Sequence, residues 1–254
     1  MPALNWARAT GIEQGLAPML RRVWDRLELD FLPSNWPGVG DVDGIEDMLH
    51  VMRAGMPLVW VPPADVVQEL LDAEEGEIRD VLFDHRATVL QSCRECLDEV
   101  EREDLAYCAE LLQECVDVAE SGSWSAAQSL AASVWDTLIR GIARHSAGLR
   151  KHTRRYGPVF NYRTFRDNLP QYSGDTLMGK VRAVCVLAPI PAALADFHGG
   201  QIPETYSRHA TAHAASPRQY TPANSIIALM LAVSLIREME ASRWRCTIDT
   251  GDQA

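Results

Sequence analysis

The sequence predicts an all-α protein, a multi-helix bundle. Three observations carry that expectation. Apolar residues recur at three- and four-residue spacing through most of the chain. The single run suited to an extended backbone, MPLVWVPP (56–63), is bracketed by prolines. One short strand makes no sheet, so that run reads as a packed linker. Helix-end signals also fall where the periodicity stops, notably Gly55 and the pair Thr221–Pro222.

The elements follow in order. Residues 12–27 place Ile12, Leu16, Met19, Leu20, Val23 and Leu27 at helical spacing. PSNWPGVGDVDG (33–44) breaks the pattern with two prolines and three glycines. A short helix over 45–53 is closed by Gly55, and helices follow at about 64–74, 76–100, 103–120 and 123–147. Ser121 or Ser123 suits the N-cap of the last of these, whose Ala/Ser content permits close packing. The pattern is lost over 149–172 and resumes at about 175–187. Pro189, Pro191, Gly199 and Gly200 interrupt it again. A short helix is expected over 203–214. The final helix starts at Thr221 as N-cap with Pro222 at its first position and runs to about Trp244. Residues 245–254 read as a frayed tail. No internal repeat is visible. The organisation expected is an acidic helical region (1–120) followed by a second helical region (121–244), with a soft boundary that allows one domain.

Length and 47% hydrophobic composition suffice for a full core. The longest apolar run, ANSIIALMLAVSLI (223–236), is shorter than the roughly 20 residues of a bilayer helix, so it is expected to be buried. The first residues lack a basic stretch followed by an apolar one, and a cytoplasmic location is expected. Cys93, Cys96, Cys108 and Cys115 could be imagined as a zinc site, but they share helical spacing with Leu90, Leu97, Leu111 and Val118. The stronger reading makes them small buried side chains. No cofactor is expected.

Charge is unevenly spread. The net charge of −11 argues against a general nucleic-acid binder. Residues 1–139 carry 27 Asp/Glu against 9 Arg, whereas residues 140–182 carry 10 Lys/Arg against 2 Asp. Within 149–172, Arg150, Lys151, Arg154, Arg155, Arg163 and Arg166 alternate with Tyr156, Phe160, Tyr162 and Phe165. Arginines for phosphates and aromatics for unstacked bases suit single-stranded RNA. In the alternative, the aromatics pack into the core and the arginines pair with the acidic N-terminal region. That region would then mask the basic segment, and deleting residues 1–120 would raise RNA affinity.

Three arginines precede a histidine with four to six residues between them: Arg79 and His85, Arg140 and His145, Arg208 and His213. Roughly two are expected by chance, so context must separate them. Arg79 and His85 lie among Glu77, Asp80 and Asp84, which repel phosphate, and Arg140 and His145 end the Ala-rich helix, where cations meet the negative pole. Arg208 and His213 lie before the most apolar helix, with Tyr206, His209, Tyr220 and Asn224.

That last stretch, YSRHATAHAASPRQYTPANSIIALMLAVSLI (206–236), resembles the C-terminal signature of HEPN-domain proteins. The earlier stretches, 54–100 and 126–139, resemble a group of uncharacterised actinobacterial helical proteins that share it. The resemblance implies metal-independent RNA cleavage leaving a cyclic phosphate, with His213 moving the proton and Arg208 clamping the phosphate. His209 would orient the site or supply the second proton, and Tyr206, Tyr220 and Asn224 would support it. It also implies a homodimer, a toxin or phage-defence setting, and an antitoxin or regulatory protein as partner. The alternative is a non-catalytic HEPN-like module that binds a protein. His209 and His213 share a helix face and could instead meet a metal, though no carboxylate or thiol lies close in sequence. Relatives often carry glycine where this chain has Ala214, which matters if the turn needs positive φ. Five residues along an ideal helix rotate by about 140°, so Arg208 and His213 diverge unless the helix ends between them or a second protomer completes the site.

Overall fold

A computed structural model describes residues 33–36, 42–74, 76–145, 161–167, 169, 177–246 and 248. The helix expected at 12–27, most of the basic segment and most of the 245–254 tail lie outside them. The fold is an all-α multi-helix bundle, with no strand among the described residues. Its helices are α1 (Val42–Arg53), α2 (Ala64–Asp72), α3 (Ile78–Asp84), α4 (Arg86–Asp98), α5 (Glu103–Glu120), α6 (Trp124–Ala143), α7 (Tyr162–Asp167), α8 (Leu177–Leu187), α9 (Ile190–Ala193), α10 (Arg208–His213) and α11 (Pro222–Ala241).

α11 is the axis of the bundle. It is apolar around its circumference, the pattern of a helix buried on every side. Sixteen of its twenty residues are buried, so although it is long and apolar enough to cross a membrane, the other helices enclose it. It packs on α6 above all, and on α3, α4, α5 and α8. Thr221 caps it by accepting from Asn224 N–H, with Pro222 in the first turn, as its sequence predicts. At the far end, the Arg102 guanidinium donates to the Met239 and Trp244 carbonyls at 2.6 and 3.0 Å. In return Glu240 accepts the Glu101 and Arg102 N–H groups ahead of α5.

Several boundaries differ from expectation. The helix predicted over 76–100 is two, α3 and α4, broken at His85 (φ −90°, ψ 10°), whose ring is held by Glu69 of α2 at 2.9 Å. Ser123 precedes α6 but makes no side-chain cap, while Ser121 bonds back to the Val118 carbonyl and closes α5 instead. The stretch 149–172 is not wholly irregular, because α7 forms there around the buried Phe165.

The run 56–63 is a packed linker, as the sequence predicts. Asn35 donates to the Leu58 and Pro62 carbonyls and accepts from Trp60 N–H, while the Trp36 indole donates to Leu58. Trp60 is thereby held at φ +71°, a conformation rare for a bulky side chain. Gly55 closes α1 at φ +110°, and a Cβ there would come within 3.3 Å of the Ala192 Cβ. Gly55→Ala should therefore destabilise the protein by about 1–3 kcal/mol in urea unfolding. A variant as stable as the wild type would show that this turn relaxes freely.

One apolar core runs from Trp36 to Trp244. α5 and α6, on either side of residue 120, pack on each other as well as on α11. Deleting residues 1–120 would strip α4 and α5 from α11. Masking of the basic segment therefore has to be tested by charge substitution in the whole chain.

Candidate functional site

α10 is only six residues long and is held from outside. Ser207 caps it through Ala210 N–H at 3.2 Å. Gln219, fully buried, accepts from Ser207 N–H and the Thr211 hydroxyl and donates to the Pro203 and Thr205 carbonyls. Gln128 of α6 donates to the same Thr211 hydroxyl at 2.8 Å. The Tyr220 hydroxyl donates to the Thr211 carbonyl at 2.6 Å, and Asn224 donates to the Glu204 and Gln219 carbonyls. Tyr220 and Asn224 thus fix the 203–221 loop to the start of α11. This buried network gives α10 one defined position, with only Gln128 Oε1 and Asn224 Oδ1 of its amide oxygens lacking a partner among the described residues.

That position sets Arg208 against α6. Its guanidinium pairs with Asp136 Oδ2 at 3.1 Å, and Arg140, one turn along α6, reaches the same oxygen at 2.9 Å. The other carboxylate oxygen accepts the Tyr162 hydroxyl at 2.6 Å, and that hydroxyl accepts from Arg140 at 2.6 Å. The Arg208 and Arg140 guanidinia lie 4.8 and 5.2 Å from the Tyr162 ring centre, within cation–π range. The His209 ring meets the same ring edge-on at 4.9 Å. Asp136 is 13% exposed and Arg208 17%, so the ion pair is largely shielded from water. Beside it opens a cleft of about 270 Å³, lined by Ser129, Ala132, Ser133, Arg208, Thr211, Ala212 and Tyr220.

The environment tunes two groups. Burial, reinforced by the Arg208 charge, lowers the His209 pKa below its ordinary value, which leaves the imidazole neutral at neutral pH. Its Nε2 is buried and has no hydrogen-bond partner among the described residues. Burial and the bond to Asp136 raise the Tyr162 hydroxyl.

Arg208 and Tyr220 line the cleft; His209 lies outside the lining, against the Tyr162 ring that Arg208 also meets, and His213 lies outside it as well. α10 is continuous from Arg208 to His213, so it does not end between them, and His213 is exposed outside the cleft lining. Ala214 ends α10 at φ −140°, extended backbone that any residue adopts, so the departure from glycine costs nothing at this turn. Tyr206 is buried, and its hydroxyl has no hydrogen-bond partner among the described residues. Burial raises its pKa.

In the basic segment, Arg150, Lys151, Arg154, Arg155 and Tyr156 lie outside the described residues. Tyr162 is no open stacking platform, because two guanidinia and His209 are packed on its ring. Phe165 is in the core. Arg163 and Arg166 pair with Asp196 at 3.0 and 3.5 Å, and Arg166 also with Asp167. These partners belong to the C-terminal half, not to the acidic N-terminal region.

The residues that sequence reasoning missed are Asp136 and Arg140 above all, with Gln128 and Gln219. Asp136 and Arg140 are the only charged residues of α6, four apart on a helix otherwise of apolar and small polar residues. That isolation was the available signal. Cys93, Cys108 and Cys115 are buried and burial raises their thiols; Cys96 is half-buried. No group of three or more His, Cys, Asp or Glu among the described residues is placed to hold a metal ion. No family model, curated protein or solved structure matches the chain.

Proposed function

We propose that the protein is a HEPN-type endoribonuclease that cuts RNA without a metal, through a site shared by two copies of the chain. One observation carries this reading. Arg208 is fixed at the edge of an open cleft beside a neutral imidazole, while His213 stands exposed on another side of the same short helix. A phosphate held by Arg208 is then reached by the His213 of a second copy.

In the reaction so read, the ribose 2′-oxygen forms a bond to phosphorus and the P–O5′ bond breaks. An imidazole takes the 2′-OH proton, and a second acid delivers a proton to O5′. His213 fills the first role and His209, held neutral by its surroundings, an orienting one, so the proton that reaches O5′ comes from solvent. Arg208 neutralises the non-bridging oxygens, which gain charge in the transition state. This reading implies a cytoplasmic toxin or phage-defence effector, with an antitoxin or other regulatory protein as its partner.

The test is cleavage of single-stranded RNA in excess chelator, with products read for a 2′,3′-cyclic phosphate end. Arg208→Ala and His213→Ala should each lower the rate by at least about 100-fold. Wild-type activity in both variants sinks the proposed site. A second reading, a non-catalytic HEPN-like module docking a protein, is favoured by the engagement of Arg208 with Asp136. It expects a pure, folded wild-type protein to leave RNA intact under the same conditions.

A further inference from the structure

Arg140 and Arg208 converge on one carboxylate oxygen and lie over one aromatic ring, although they come from different helices. Two guanidinia gathered around a single oxyanion are the arrangement that binds a phosphodiester. We propose that Arg140 and Arg208 form a paired-arginine phosphate site, in which the Asp136 carboxylate stands in for the phosphate until nucleic acid displaces it. The proposal rests on reading the cleft as a nucleic-acid site, and it adds Arg140 and Asp136 to that site.

Three features support an exchange rather than a permanent lock. Arg208 lines the open cleft, so a phosphate has a route to its guanidinium. When both arginines turn to a phosphate, Asp136 keeps the Tyr162 hydroxyl, which donates to its other oxygen. That bond limits the stranding of the carboxylate, which would otherwise oppose the exchange strongly. The neighbouring wall also suits a ribose. Ser133 donates its hydroxyl hydrogen to the Ser129 carbonyl one turn back along α6, and the Ser129 hydroxyl lies between the Ser125 carbonyl at 2.9 Å and the Tyr220 hydroxyl at 3.2 Å. Ser133, its hydrogen so engaged, keeps oxygen lone pairs that can accept from a sugar hydroxyl at the cleft wall.

The test uses full-length protein and an uncleavable all-2′-O-methyl single-stranded oligonucleotide, read by fluorescence anisotropy across a salt series. Asp136→Asn should bind on the order of tenfold tighter, since hydrogen bonds to charged groups carry that much. Its log K against log salt should steepen by about 0.7, one more phosphate contact. Adding Arg140→Gln should abolish both changes. Asp196→Asn removes an equal charge from another carboxylate that pairs two arginines, and it measures the general effect of charge. The proposal is overturned by equal gains in Asp136→Asn and Asp196→Asn, or by a gain that survives Arg140→Gln. Should circular dichroism show Asp136→Asn unfolded, Arg140→Gln alone carries the test: it should weaken binding about tenfold and flatten the log K against log salt slope by about 0.7. Unchanged affinity and slope there overturn the proposal equally. Binding gains without any RNA cleavage by the wild type would remove the ribonuclease reading and leave the paired-arginine site standing.

Discussion

Mixing the Arg208→Ala and His213→Ala proteins restores RNA cleavage to about a quarter of the wild-type rate if the site is shared across a two-fold axis. The expectation follows from α10 being an unbroken helix whose Arg208 borders the cleft while His213 is exposed outside it. In a symmetric pair, each site takes Arg208 from one chain and His213 from the other. A mixed pair then has one site with both native residues and one with neither. Random exchange makes half of the pairs mixed, and each of these has half its sites intact. A site within one chain gives no such recovery, because every chain in the mixture carries a lesion. The measurement is the initial rate after subunit exchange, with each variant alone as the baseline. Activity that stays at the baseline after exchange excludes a shared site, and it leaves the paired-arginine phosphate site as a separate question.

The parts of this molecule that could be read from its sequence are those with local causes. The final helix was legible because Thr221, Pro222 and an apolar run are adjacent in the chain. α7 was not, because six residues are too few to show a period and its anchor is the single buried Phe165. The break at His85 was invisible because its partner, Glu69, lies on another helix. The site divides in the same way. Arg208 and His209 stood out as neighbours in a recognisable pattern. Asp136 gains its role only when α6 packs beside α10, 72 residues further on. Arg140 reads in the sequence as a cation at a helix end, whereas in the fold it shares Asp136 with Arg208. Gln128 and Gln219 read as surface residues by type, and packing makes them the buried ties that hold the loop. Local periodicity fixes which residues face inward, but it does not tell which inward polar groups will meet.

Glu238→Ala lowers the unfolding free energy by about 3–5 kcal/mol, the scale for stranding one member of a buried ion pair. Glu238 is fully buried on the apolar α11, where its carboxylate accepts from Arg182 at 3.2 Å, from the Trp60 indole at 3.0 Å and from Ser242. The indole bond helps hold Trp60 at its positive φ, so its loss also releases the 56–63 linker. The pH dependence has a definite sign. Burial, opposed by the Arg182 charge, raises the Glu238 carboxyl above its ordinary value. The folded protein therefore keeps this proton at a pH where the unfolded chain, near about 4.3, has lost it. This group's contribution is fully present at acid pH and declines as pH rises through the folded value; Glu238→Gln lacks that slope. Urea unfolding followed by tryptophan fluorescence at several pH values checks both statements. A loss in Glu238→Ala below about 1 kcal/mol would mean that Arg182 finds another partner at little cost. Glu238 lies near the end of α11 remote from Asn224 and the α10 loop. Without denaturant, the folded Glu238→Ala protein should therefore keep the oligonucleotide affinity of the wild type, which separates damage to the scaffold from damage to the site.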